Sequence, residues 1–194
     1  MPRYNELRAN SVRSKSFYAW IAKCAGQNMA EIRTAILTVS DRASRGERED
    51  RSGPGIASWL ATRSVNLVSL SLLPDEEEAV AAQLESWADS NNYDLILTTG
   101  GTGVSLRDRT PEATSRILDR AIPGLAEAMR AGSLKHTPYG MLSRAVAGIR
   151  KQTLILNLPG SPKAAIQCLE IVWPALAHAI AKIKGDMSEC APAK

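Results

Sequence analysis

The sequence predicts an α/β fold in which a parallel sheet carries helices on both faces. Two observations predict it. From residue 32 onward, buried-type strands alternate with amphipathic helical segments, and those segments are long enough to cross over rather than to form hairpins. Length and composition agree: 194 residues, 44% hydrophobic and 23% charged, suit one ordinary domain with a sizeable core.

The elements follow in order. Residues 32–40 (IRTAILTVS) read as a buried strand. In residues 55–63, Ile56, Trp59 and Leu60 share one helical face. Residues 65–73, rich in Val and Leu, read as a second strand, and residues 76–89 set Val80, Leu84, Trp87 and Ala88 at helical spacing. Residues 93–99 (YDLILTT) form a third strand that runs into glycines, helices are expected at 111–120 and 123–134, and residues 153–158 (TLILNL) form a fourth strand. A last helix over 162–183 carries a stripe from Ile166 to Ile183, which Pro174 is expected to kink or break.

Charge and composition narrow the function. The net charge of +4 resides in residues 1–28, where Arg3, Arg8, Arg13, Lys15 and Lys23 face only Glu6; residues 29–194 hold 19 basic and 19 acidic groups. A neutral body, in a chain with only four Tyr and one Phe (Phe17, itself in the basic extension), offers neither the field nor the stacking surface for nucleic acid. No run of 18 uninterrupted apolar residues argues for a membrane span. Cys24, Cys168 and Cys190 are scattered and odd in number, against a disulfide framework, and His136 and His178 are too isolated to suggest a metal site. A reducing cytoplasm fits. The sequence divides into a basic extension 1–28, a domain 29–185 and a tail 186–194. Residues 1–28 read either as a transit peptide or as a dispensable extension ahead of Met29; their modest Arg and Ser content favours the extension.

In open parallel sheets ligands sit beyond the carboxyl ends of the strands, which points to the loops 40–54, 74–76, 100–111 and 159–163. The sharpest is 98–110 (TTGGTGVSLRDRT). Gly100, Gly101 and Gly103 let main-chain N–H groups approach an anion, although no Lys follows as in a P-loop. A tight strand exit explains the glycines equally well. Asp108 beside such a nest makes sense holding a divalent cation that bridges phosphates, or as a solvated surface acid. Thr110-Pro111-Glu112 reads as a helix start with Thr110 as N-cap, and Asp75 as the N-cap of the 76–89 helix. In 157–163 (NLPGSPK), Ser161-Pro162 opens the last helix, an anion-binding terminus to which Lys163 adds charge, or an ordinary helix start. Ser40 and Asp41 end the first strand in a polar loop, and Ser143-Arg144 offers a hydroxyl and a guanidinium fork for phosphate or a pterin edge.

Taken together, residues 37–46 (LTVSDRASRG), 72–77 (LLPDEE), 95–114 (LILTTGGTGVSLRDRTPEAT), 142–165 (LSRAVAGIRKQTLILNLPGSPKAA) and 174–180 (PALAHAI) resemble the molybdopterin adenylyltransferase family, which includes the G domain of gephyrin. The resemblance spans about residues 32–184. It implies a three-layer α/β/α fold with a mostly parallel sheet, usually a homotrimer, that binds molybdopterin and MgATP in the cytoplasm beside other molybdenum-cofactor enzymes. It implies transfer of AMP to the molybdopterin phosphate with release of pyrophosphate. Asp75 and Asp108 match the two aspartates the family needs, with Mg2+ placed at them. Substrate contacts are implied for Ser40 and Asp41, for Gly100, Gly101, Thr102, Gly103 and Thr110, for Ser143 and Arg144, and for Asn157, Pro159, Gly160, Ser161 and Lys163. A phosphate is already an anionic nucleophile, so the scarcity of histidine suits this chemistry. The alternative is a pterin- or nucleotide-binding homologue without this catalysis; the presence of both aspartates favours the enzyme.

Overall fold

The computed structural model describes residues 32–63 and 65–187. The expectations for residues 1–28 and for most of the tail lie outside the described residues. Four parallel strands form the centre: β1 (Arg33–Val39), β2 (Asn66–Leu73), β3 (Leu95–Thr99) and β6 (Thr153–Leu158). Two short strands, β4 (Arg120–Ala121) and β5 (Ala147–Arg150), extend the sheet antiparallel, giving the order β2-β1-β3-β6-β5-β4. The chain leaves β1 toward β2 on one side and returns to β3 on the other. The loops after β1 and β3 therefore diverge and open a crevice between them.

Helices α2 (Ser52–Ala61), α5 (Pro123–Ser133) and α6 (Pro162–Ile183) cover one face, while α3 (Glu77–Asp89) and α4 (Thr110–Ile117) cover the other; a single turn, α1 (Asp41–Ser44), follows β1. Alternation along β1 divides the core between them. Ile36 packs with Leu60, Leu97 and Leu169 toward α2 and α6, whereas Ala35, Leu37 and Val39 pack with Leu84 and Ile117 toward α3 and α4. Every residue of β3 and β6 is buried, which is why these strands read as unbroken apolar runs.

The structure revises four local expectations. α6 continues through Pro174 without a break. The proline costs one hydrogen bond to the Glu170 carbonyl, but both residues face solvent, where water satisfies that oxygen, while Val172 and Leu176 hold the opposite face in the core. That burial also explains why a helix apolar and long enough to cross a membrane by composition belongs to the core of this domain. Thr110 is not the N-cap of α4 but lies within its first turn, after Arg109. Asp75 is not the cap of α3: Glu76 holds that position without a side-chain bond, and Asp75 turns its carboxylate elsewhere. Strands β4 and β5 were not legible, because two and four residues including Gly148 carry too little apolar pattern. Gly148 is required there, since a Cβ would stand 2.6 Å from the Arg120 carbonyl oxygen.

Candidate active site

β3 delivers the chain into Gly100 and Gly101, whose φ values of 102° and 62° lie in the left-handed region. A Cβ on Gly100 would collide with the Val39 carbonyl oxygen. One on Gly101 would collide with Thr110 Oγ1 and stand 2.9 Å from Asp75 Oδ1, and one on Gly103 would stand 2.9 Å from Asp108 Oδ2. The missing side chains thus let the main chain run against both aspartates at once. Among the described residues, the N–H groups of Gly101, Thr102 and Gly103 donate no hydrogen bond, and the buried Thr110 Oγ1 has no partner. Such a row of unspent donors is the chemistry of an anion nest.

Asp75 is held by a reciprocal arrangement with the loop after β1. The Asp41 N–H donates to Asp75 Oδ2 at 2.7 Å, and the Asp75 N–H donates to Asp41 Oδ1 at 3.0 Å. Asp41 is in turn engaged by Arg107, which donates from Nε and Nη2 at 2.9 and 3.0 Å and reaches Glu76 at 2.8 Å. The cation nearest these acids is therefore spent on Asp41 and Glu76. Arg107 holds the Asp41 carboxyl below its ordinary value. Asp75 moves the other way: burial raises it, the Asp41 N–H offsets part of the rise, and the Asp41 and Asp108 carboxylates add to it. Its neighbourhood thus favours an added cation.

Two cavities open on either side of this loop. The first, about 460 Å3, lies between the glycine loop, α5, a 3₁₀ turn (Pro138–Leu142) and α6, with Val104, Met129, Ser133, Tyr139 and Ser143 in its walls. The second, about 380 Å3, sits over the carboxyl ends of β1 and β3 at the start of α2, with Thr38, Asp50, Ser52, Asp75 and Thr99 in its walls. Gly101, Asp108 and Gly160 belong to both. Both volumes suit a small organic ligand.

Most residues expected from the sequence converge here. Thr102, Gly103, Ser143 and Pro159 line the first cavity, and Ser40, Asp75, Gly100 and Ser161 line the second. Ser40 and Ser161 also cap helices, accepting from the N–H groups of Ala43 and Ala164. Five expected residues line neither cavity, the first being Thr110, whose buried hydroxyl packs against Gly101. Asn157 is wholly buried: its Nδ2 donates to Thr98 and Thr114, and its Oδ1 accepts from Val146, so it ties β6 to its neighbours and faces no cavity. Lys163 sits exposed on α6 and lines neither cavity. Asp41 positions Asp75 and is absent from both walls. Arg144 points its guanidinium at protein acceptors, Gly103, Asp108 and Glu112, rather than into a cavity.

Sequence reasoning missed other wall residues. Thr38 reads as strand interior, yet its buried Oγ1 has no partner among the described residues and lines the second cavity. Asp50, one residue before the Arg51 N-cap of α2, accepts from the Ser52 and Gly53 N–H groups at 2.9 and 3.1 Å, and the Ser-Gly-Pro-Gly run behind it was the available signal. Met129, Ser133 and Tyr139 come from elements whose own patterns spell only core or turn.

Comparison with known proteins agrees with this architecture. Residues 35–178 match the sequence family described as "Probable molybdopterin binding domain". The chain is 42% identical over 160 residues to the molybdopterin adenylyltransferase of Helicobacter pylori strain J99, covering 81% of this chain and 91% of that protein. It is 41% identical over 180 residues to gephyrin of Dictyostelium discoideum, covering 88% of this chain but 25% of gephyrin. Among solved structures, the molybdopterin biosynthesis enzyme MoaB of Thermus thermophilus superposes with a TM-score of 0.75 at 52% identity, covering 80% of this chain and 98% of that one.

Proposed function

From the premise that the chain belongs to the molybdopterin-binding domain family of molybdenum-cofactor biosynthesis, we propose that it is a molybdopterin adenylyltransferase. One observation carries the reading: two ligand-sized cavities share a wall made of Gly101, Asp108 and Gly160, so two ligands can meet over one row of unspent N–H groups.

The reaction joins a molybdopterin phosphate oxygen to the α-phosphorus of ATP and breaks the bond to pyrophosphate, which leaves. The phosphate needs no base, and the described site offers none of histidine type. The N–H groups of Gly101, Thr102 and Gly103 supply donors for phosphoryl oxygens at the shared wall, already in place before charge develops. Asp75 and Asp108 would hold a magnesium ion, which neutralises phosphate oxygens and the departing pyrophosphate when bound. The residues fit that ion. Their donors are hard carboxylate oxygens, and the raised Asp75 carboxyl is relieved by a cation. Magnesium is commonly held by one or two carboxylates and completed by water and substrate phosphate. Asp41, fixed by Arg107, keeps Asp75 turned toward the glycine loop. The same reading makes the protein a cytoplasmic homotrimer acting beside other molybdenum-cofactor enzymes.

The test incubates purified protein with ATP, magnesium and molybdopterin, measures pyrophosphate and identifies the product by mass. Adenylylated molybdopterin formed only when all three are present is expected. Pyrophosphate release independent of molybdopterin would overturn the proposal.

A further inference from the structure

One side chain holds both ends of the loop that carries Asp108. Arg144 donates from Nε to the Gly103 carbonyl at 2.6 Å and from Nη2 to the Asp108 carbonyl at 2.5 Å, and its main-chain N–H donates to the Thr102 carbonyl at 2.9 Å. Its Nη1 meets Glu112 Oε1 on α4. Between the two anchored ends Val104 is 65% and Leu106 92% exposed, and Arg107 reaches outward to Asp41 and Glu76. A span this exposed has no core contacts to define its path, so the Arg107 pairs on one side and the fork of Arg144 at its two ends supply the definition that packing does not. Within the loop the Asp108 carboxylate accepts from the Ser105 N–H at 2.8 Å, and the Asp108 N–H donates to the Ser105 carbonyl at 3.0 Å. Fixing the backbone of Asp108 therefore fixes where its carboxylate points.

Glu112 fixes the fork in turn. Burial would raise its carboxyl, but the bond from Arg144 brings it below its ordinary value, so it stays an anion beside the guanidinium. Ser143, directly before Arg144, lines the first cavity, and Asp108 lines both. Arg144 is thus the covalent neighbour of one ligand wall and the hydrogen-bonded holder of the other. A substrate phosphate that drew the fork away would leave the Gly103 and Asp108 carbonyls and the Glu112 carboxylate without their donor.

We propose that Arg144, oriented by Glu112, is a positioning residue that aims Asp108 at the wall shared by the two cavities, and not a ligand of substrate phosphate. The inference rests on the reading of Asp108 given under the proposed function.

The test compares R144K, D108N and the double variant in the full chain. Lysine keeps the charge, but one ammonium cannot span the three acceptors. R144K is expected to lower kcat about 10²-fold, the scale of a small misplacement of a catalytic group. Calorimetric affinities for ATP and molybdopterin should stay within about threefold of the parent. In the double variant, adding R144K to D108N should slow turnover no further, because the group being aimed is already gone. The proposal is overturned if R144K weakens either affinity by about tenfold or more with kcat intact, or if the two losses multiply. Should R144K fail to fold, E112Q takes its place with the same readouts and an expected kcat loss of about tenfold. Normal turnover in D108N would instead remove the functional reading itself, an outcome distinct from multiplying losses.

Discussion

Asp94 and Asp75 stand at opposite ends of the same parallel sheet, and the contrast separates what holds this fold from what it is built to bind. At the amino ends of the strands, the Asp94 side chain is 2% exposed and surrounded by donors. It accepts from the Arg33 N–H at 2.9 Å, from the Arg33 guanidinium at 2.8 and 3.2 Å and from Lys184 at 2.9 Å. Burial would raise its carboxyl, yet these partners lower it to about 2. At the carboxyl ends, Asp75 accepts one main-chain N–H, faces two other carboxylates and is pushed up instead. The amino end is electrostatically closed. The carboxyl end carries an acid raised by burial and by neighbouring carboxylates, which costs stability, and under the proposed function a bound cation would offset that cost.

The contrast yields predictions that differ in both size and kind. The largest effect is expected from chelation: EDTA should abolish adenylyl transfer while leaving the melting temperature unchanged, as measured by product formation beside thermal unfolding. Next, Asp75→Asn should lower turnover about 10²–10³-fold. Because that substitution removes a raised carboxyl, the melting temperature should hold or rise; a clear fall would mean that Asp75 is structural, as Asp94 is. Gly101→Ala places a Cβ against Thr110 and Asp75 at a φ of 62°. It should weaken ATP binding in titration calorimetry and cost about 1–2 kcal/mol of stability.

Asp94→Asn should reverse the pattern, costing about 1–2 kcal/mol in denaturant unfolding, since Arg33 and Lys184 are partly exposed and return to water, with turnover unaltered. A carboxyl whose folded value is depressed stabilises the fold above its unfolded value and loses that contribution as pH falls through the folded one. The parent should therefore lose this increment between about pH 4 and pH 2, and the Asn variant should show no such loss in that window. The smallest effect is expected from deleting residues 1–28, which hold the net positive charge: turnover and melting temperature should both stay where they are.

The two ends were unequally legible. Asp108 and the three glycines stood out because glycine directly after a buried strand and an acid beside it are local patterns, readable without knowing what packs on them; Asp75 read locally as a helix cap, and only the family resemblance pointed it to the site. Asp94 did not stand out. It is one acid before a strand, and its partners Arg33 and Lys184 lie 61 and 90 residues away, a meeting that no local period encodes. Arg144 and Asn157 were legible as polar residues near the site but not in their direction. Whether a guanidinium faces a ligand or three protein acceptors depends on where the 103–108 loop and α4 come to rest. Asn157 likewise meets Thr98 and Thr114 only when β3, β6 and α4 assemble.

The sequence by itself determined the order of strands and crossover helices along the chain, the parallel pairing and the four loops at the carboxyl ends, because periodicity, chain length between strands and glycine's conformational freedom act within a few residues or along one connection. Only the tertiary structure decided that two cavities share the wall at Gly101, Asp108 and Gly160, that Arg107 engages Asp41 rather than Asp75, and that β4 and β5 extend the sheet. Those outcomes depend on which side chains compete for the same donors once distant segments are packed together, and burial and neighbouring charge then settle whether a given carboxylate is satisfied or held ready for a cation.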